Sequence, residues 1–273
     1  MGDLGTSLKW DSVIPSSFGC DPDLGPSIHQ QMKACEKKYG KKKLSDIVSL
    51  LNAPRRTAVY DPISSWNALS QSADPLRILS PSASTSIRRL HEARQQVRLE
   101  VERCSRGPGT GPKFSGDGKV AMVRIHSAAS IHPVIATRWA NTLKSSKLKI
   151  VMCANDGYLT SEVDFEGELM TNFSCRIAKS ALEREEVNII AMLTEYASRV
   201  PGLRDSMGDN FARGHKEASG GIVKTSDFEK LWRVMSDSEE GETLFVLHVL
   251  HAYIASASST RVEESTQTFK TKE

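Results

Sequence analysis

Two periodicities divide the chain. As far as Arg106, apolar positions recur at three- and four-residue intervals and strand patterns are nearly absent. From Lys119 onward, short continuous or alternating apolar runs take turns with helical ones. In the first part the pattern predicts a helix over Ile28 to Tyr39 and a second over Leu44 to Leu51, stopped at Asn52-Ala53-Pro54. Shorter pieces follow at Ser64 to Leu69 and Pro75 to Leu79. The longest stripe comes next. Ile87, Leu90, Val97, Val101 and Cys104 share one side of a helix over Ser82 to Arg106. Arg94 interrupts that stripe, and Arg88, Arg89, Arg98, Arg103 and Arg106 lie around it. Gly107-Pro108-Gly109 and Thr110-Gly111-Pro112 end the helix and mark a boundary.

Beyond the boundary the runs Val120 to Ile125 and Leu148 to Cys153 read as strands, with a helix opened by Pro133 over Val134 to Leu143 between them. Phe173, Cys175 and Ile177 alternate with Ser174, Arg176 and Ala178, as in a half-buried strand. Val187 to Val200 is helical and stops at Pro201-Gly202. A last helix begins at Ser226, where Ser226 and Glu229 have capping-box spacing and Phe228, Leu231, Trp232 and Met235 form its apolar stripe. Strands interleaved with helices predict an α/β domain with some α+β character. The expected division is helices over 1–80, a connector helix and linker over 81–112, a mixed-sheet domain over 113–240, and an apolar segment with a disordered polar tail over 241–273.

Composition narrows this picture little. The 273 residues are 39% hydrophobic and 25% charged with a net charge of +3, values of an ordinary globular chain. Any basic surface must therefore come from local clustering, and the run Lys37, Lys38, Lys41, Lys42, Lys43 is read as a solvated turn. Five cysteines, an odd number without a CxxC pair, argue against a disulfide scaffold or a structural zinc site. Reduced thiols predict an intracellular protein, cytoplasmic or nuclear. The first residues lack the basic and apolar regions of a signal peptide. The run Leu244 to Ala257 is too short to span a bilayer, so no membrane association is expected. His248 and His251 share one face of that segment without an evident third metal ligand.

The chemistry concentrates in ARGHKEASGG, Ala212 to Gly221. The stretch is read as a loop leading into Ile222-Val223 and a helix start. Its glycines, Gly214, Gly220 and Gly221, would let backbone N–H groups converge on an anion, with His215 adding a donor. On residues alone, that nest and an ordinary turn both stay open. GHKEASGG resembles the GHxxASGG signature of the DHHA1 domain, the C-terminal half of DHH-family phosphoesterases such as RecJ-type exonucleases and oligoribonucleases. NFSCRIAK, Asn172 to Lys179, resembles the family's Ser-x-Arg strand, and SIHPVIATRWANTL, Ser130 to Leu143, fits its first helix. The resemblance spans about Ser115 to Met235. It implies that Arg176 grips a substrate phosphate through its planar fork. His215, Gly214, Ser219, Gly220 and Gly221 would complete the anion site, and Ser174 and Asn172 would add neutral hydrogen bonds. The implied partner is single-stranded nucleic acid, a short oligonucleotide or a dinucleotide. The nearby aromatic residues are Phe173 and Tyr158, few for a stacking platform.

The family's enzymes hydrolyse phosphodiesters with two divalent ions, manganese or magnesium, held by an Asp-x-Asp strand and the DHH motif. Neither motif is found here. Asp21-Pro22-Asp23 has the spacing, but its prolines suit a turn. MGDLGTSLKW resembles the family's fourth motif, with Asp3 as one remaining metal ligand. The expectation is a chain that begins inside a DHH domain, its first eighty residues a helical remnant, binding no metal cofactor alone and having little or no phosphodiesterase activity by itself. Two alternatives accompany this module reading. One is an active metal-dependent phosphodiesterase when the missing DHH half is supplied, by the full gene product or a separate partner chain; self-association is a further partner expectation. The other is a protein–protein interaction domain that binds no nucleic acid.

Overall fold

The computed structural model describes residues 28–106, 111–158 and 167–237. The expectations for Asp3, DPDLGP, the linker glycines at 107 and 109, the two histidines at 248 and 251 and the C-terminal tail lie outside them. The described residues fall into two compact units. One comprises 28–106 with 111, 124–135 and 155–158; the other comprises 112–123, 136–154 and 167–237. The expected contiguous division does not contain the two short returns to the first unit.

The first unit is helical where the stripes predict it. Its helices are α1 (Ile28–Tyr39), α2 (Lys41–Asn52), α3 (Pro62–Ser70) and α4 (Thr85–Arg106), with single 3-10 turns at Pro54–Arg56 and Pro75–Leu79. Asp61 caps α3, its carboxylate accepting from the Ser64 N–H at 3.0 Å. Ile47, Leu50, Ala68, Ile78, Ile87 and Leu90 form the core, so α4 buries the stripe read from sequence.

The second unit carries most of a mixed six-stranded sheet in the order β1-β2-β3-β4-β6-β5. The strands are β1 (Lys113–Phe114), β2 (Val120–Ile125), β3 (Ile150–Asn155), β4 (Met170–Ile177), β5 (Arg213–His215) and β6 (Ala218–Lys224). Helix α5 (His132–Thr142) links β2 to β3. After β4 come α6 (Lys179–Leu182), α7 (Ile189–Ser198) and α8 (Leu203–Ser206), and α9 (Thr225–Ser236) follows β6. The helices and mixed sheet make this an α/β protein, as the alternating pattern predicts. Buried on both faces, β3 is an apolar run, Ile150 to Ala154, closed by the buried polar Asn155, with every residue inside.

Two local readings are corrected. The capping box at Ser226 does not form: α9 starts one residue earlier, at Thr225, which places Ser226 inside its first turn, and the N-cap position is Lys224. ARGHKEASGG is a β-hairpin and not a loop. Residues 213–215 and 218–220 pair antiparallel across Lys216-Glu217, and β6 continues to Lys224.

Candidate phosphate-binding face

The hairpin brings the two sequence motifs together. In the antiparallel β4–β6 ladder Arg176 faces Ala218, and in the β6–β5 ladder Ala218 faces His215. Ser174, Gly220 and Arg213 form the next row in the same way. Residues directly opposite one another share a face of the sheet. Arg176, Ser174, His215 and Arg213 therefore stand on one face, with Ala218 and Gly220 as a floor between them. At strand spacings of about 4.8 Å, β4 and β5 flank that floor about 10 Å apart. Asn172 and Ile222 extend the same face one row further.

Local contacts set the arginine. Nη1 of Arg176 donates to Ser174 Oγ and to the Cys175 carbonyl, both at 2.8 Å. Ser174 is buried beneath it, while Arg176 is half-exposed and His215 and Arg213 are exposed. Arg213 also donates to Asn210 Oδ1 at 2.9 Å. Lys216 is ion-paired with Glu186 at 2.6 Å, an exposed contact of small energetic weight.

The remaining motif residues do other work. Ser219 is buried on the opposite face, where its hydroxyl donates to the Arg213 carbonyl at 2.9 Å and pins the edge strand. Gly221 packs there too, since a Cβ would come within 2.9 Å of the Phe173 ring. The expected nest of Ser219, Gly220 and Gly221 N–H groups is replaced by a strand paired on both edges, whose N–H groups serve the ladders. Gly220 has a close-approach reason for being glycine: a Cβ would overlap the Phe173 carbonyl oxygen of β4. Gly214 has a conformational one, with φ of +122° and the Ala218 carbonyl oxygen 2.5 Å from a would-be Cβ.

The inner face is core. Phe173 is 1% exposed and its ring lies 5.5 Å from that of Phe228 and 6.1 Å from that of Phe211, so it offers no stacking surface. Cys175 is fully buried, and desolvation pushes its thiol up to about 12, which leaves it inert at neutral pH. By register Asn172, expected only to add neutral hydrogen bonds, and Arg213 both share the face of Arg176. An alternating-side count along β4 and β5 could have found them, given the pairing.

Among the described residues no group of three or more His, Cys, Asp or Glu side chains could hold a metal ion. They offer no donor set for the divalent ions the resemblance implies. No described helix is long and apolar enough to cross a membrane.

No family model matches the chain, and no curated protein does. Among solved structures, it is similar to RecJ from Thermus thermophilus in complex with Mn2+, at 15% identity and a TM-score of 0.45, covering 77% of this chain and 27% of that one. The Mg2+ complex of the same protein gives 14% and 0.43, covering 77% and 28%. The DHH domain of a member of a family of ribosomal proteins gives 11% and 0.38, covering 77% and 46%. The chain thus spans about a quarter of the RecJ structures.

Proposed function

We propose that the chain is a DHHA1-type module that binds a phosphate of single-stranded nucleic acid or of a short oligonucleotide on the β4–β6–β5 face. The observation that carries this reading is the register row Arg176–Ala218–His215, which aligns two motifs 39 residues apart in sequence across one small-residue floor. Arg176 provides the planar, charge-assisted donor pair suited to phosphate oxygens, and Ser174 holds its guanidinium from below. His215 and Arg213 supply donors from the opposite side of the floor. Because Ala218 and Gly220 project little, an anion can reach the sheet between them. Hydrolysis is assigned to a metal-bearing DHH half supplied elsewhere; by itself the chain binds. The module belongs in a reducing compartment, cytoplasmic or nuclear, in keeping with the reduced cysteines among the described residues.

The test is a fluorescence-anisotropy titration with a short single-stranded oligonucleotide at two salt concentrations. Wild type should bind in a salt-sensitive manner, and Arg176→Ala and His215→Ala should each weaken binding about tenfold or more. Binding indifferent to both substitutions, or no binding at all, rejects the reading in favour of a protein-interaction domain.

A further inference from the structure

The charge of the molecule is unevenly placed. The whole chain carries 36 Lys and Arg against 33 Asp and Glu, a net of +3. Residues 28–106 alone carry fifteen against seven, a net of +8, so the rest of the chain is net acidic. The excess is densest where α1 meets α2: Lys33, Lys37, Lys38, Lys41, Lys42 and Lys43 are all exposed. Arg94 of α4 reaches Asp46 of α2 at 3.9 Å, and Asp46 lies one helical turn from Lys42 and Lys43. Arg94 and Arg98, one turn apart on α4 and both exposed, therefore continue the basic surface from α2.

Folding explains only part of this charge. Lys37 and Lys38 sit in the last turn of α1, where the helix dipole favours cations. Lys41, Lys42 and Lys43 occupy the first turn of α2, the end that repels them; that turn holds no acidic residue and no side-chain cap, and Asp46, one turn on, is shared with Arg94. We infer that the surface formed by Lys41, Lys42, Lys43, Arg94 and Arg98 is a second polyanion contact, taking the phosphate backbone of a nucleic-acid strand. It rests on charge in the first unit and is independent of the sheet reading. An anionic membrane is the weaker fit. Surface-binding helices pair their lysines with an apolar face of the same helix that enters the lipid, whereas the strongly exposed apolar side chains described in this unit, Val59, Tyr60, Ile63, Trp66, Leu69 and Leu99, all lie beyond α2 and none stands on the lysine-bearing α1 or α2.

The experiment uses the full chain with fluorescein-labelled polydeoxythymidine of about thirty and of about three nucleotides, titrated over a salt series. Each phosphate contact contributes about 0.7 to the log–log salt slope for single strands, so the triple variant Lys41→Gln, Lys42→Gln, Lys43→Gln should lower the slope by about 2. Its affinity for the long probe should fall about tenfold and for the short probe stay unchanged. A Lys→Arg triple at the same positions should keep wild-type behaviour, which separates charge from misfolding. The same loss should recur in an Arg176→Ala background. Loss with Arg176→Ala but not with the glutamine triple overturns this inference and leaves the sheet reading standing; the converse does the opposite. Sedimentation with phosphatidylserine vesicles completes the comparison: vesicle binding that needs the lysines, without an effect on the long probe, overturns the inference in favour of a membrane.

Discussion

The two faces of the β4–β6–β5 ladder share a backbone and little else. One carries Phe173, Cys175 and Val223, all within 1% of full burial. The other carries Arg176, His215 and Arg213 around Ala218 and Gly220. Strand alternation lets a single short segment serve both needs: odd positions of β4 hold the unit together while even positions from 172 to 176 face outward with polar groups. Substitutions on the inner face should therefore act on stability, and those on the outer face on anion binding.

The largest expected effect is on the inner face. Phe173→Ala removes a ring packed against Phe211 and Phe228 and should cost about 3–5 kcal/mol, read from the denaturant midpoint of the second unit. If stability barely moves, the aromatic cluster is not the core of this ladder. Gly220→Ala tests the floor. Its Cβ points toward the Phe173 carbonyl oxygen, so β4 and β6 must part, at a cost of about 1–3 kcal/mol together with weaker anion binding. A fully stable variant would break the link between close strand approach and the glycine.

A smaller, pH-dependent effect sharpens the inner-face half. Asp117 accepts from the Tyr196 hydroxyl at 2.7 Å, from Ser115 Oγ at 2.7 Å and from the Lys119 N–H at 3.0 Å, tying the turn before β2 to α7. Burial raises its carboxyl, but these hydrogen bonds outweigh burial and hold it down at about 2. Its unfolded value is about 4, so its contribution, about 2 kcal/mol, is complete above pH 4 and disappears as pH falls toward 2. In Asp117→Asn that acid-side loss should vanish from a melting-temperature series, while the variant starts less stable. The smallest stability change belongs to the outer face: Arg176→Ala should shift folding by less than about 1 kcal/mol, because the side chain is half-exposed, whatever it does to binding.

These contrasts also mark what the sequence could reveal. Helices were legible where an apolar stripe repeats over several turns, as along Ile87 to Cys104, because that period is local. The strands β2, β3 and β4 were legible as runs or alternations. The hairpin was not, because glycine density looks like a loop until the neighbour that requires it is known. The demand on Gly220 comes from the Phe173 carbonyl, 47 residues away in sequence. For the same reason Arg176 and His215 could be named from motifs, but their sharing of a row with Ala218 could not. The failed capping box at Ser226 is a shift of one residue in a helix start, which propensity does not resolve.

Ala218 offers the most direct measurement. It sits between Arg176 and His215, half-buried, with its side chain on the outer face. Ala218→Glu places a carboxylate where the phosphate is proposed to lie. The account predicts an unchanged fold by circular dichroism and at least a roughly tenfold loss of affinity for a short single-stranded oligonucleotide. Wild-type affinity in a folded Ala218→Glu protein would contradict it, because the anion would then be bound somewhere other than this face.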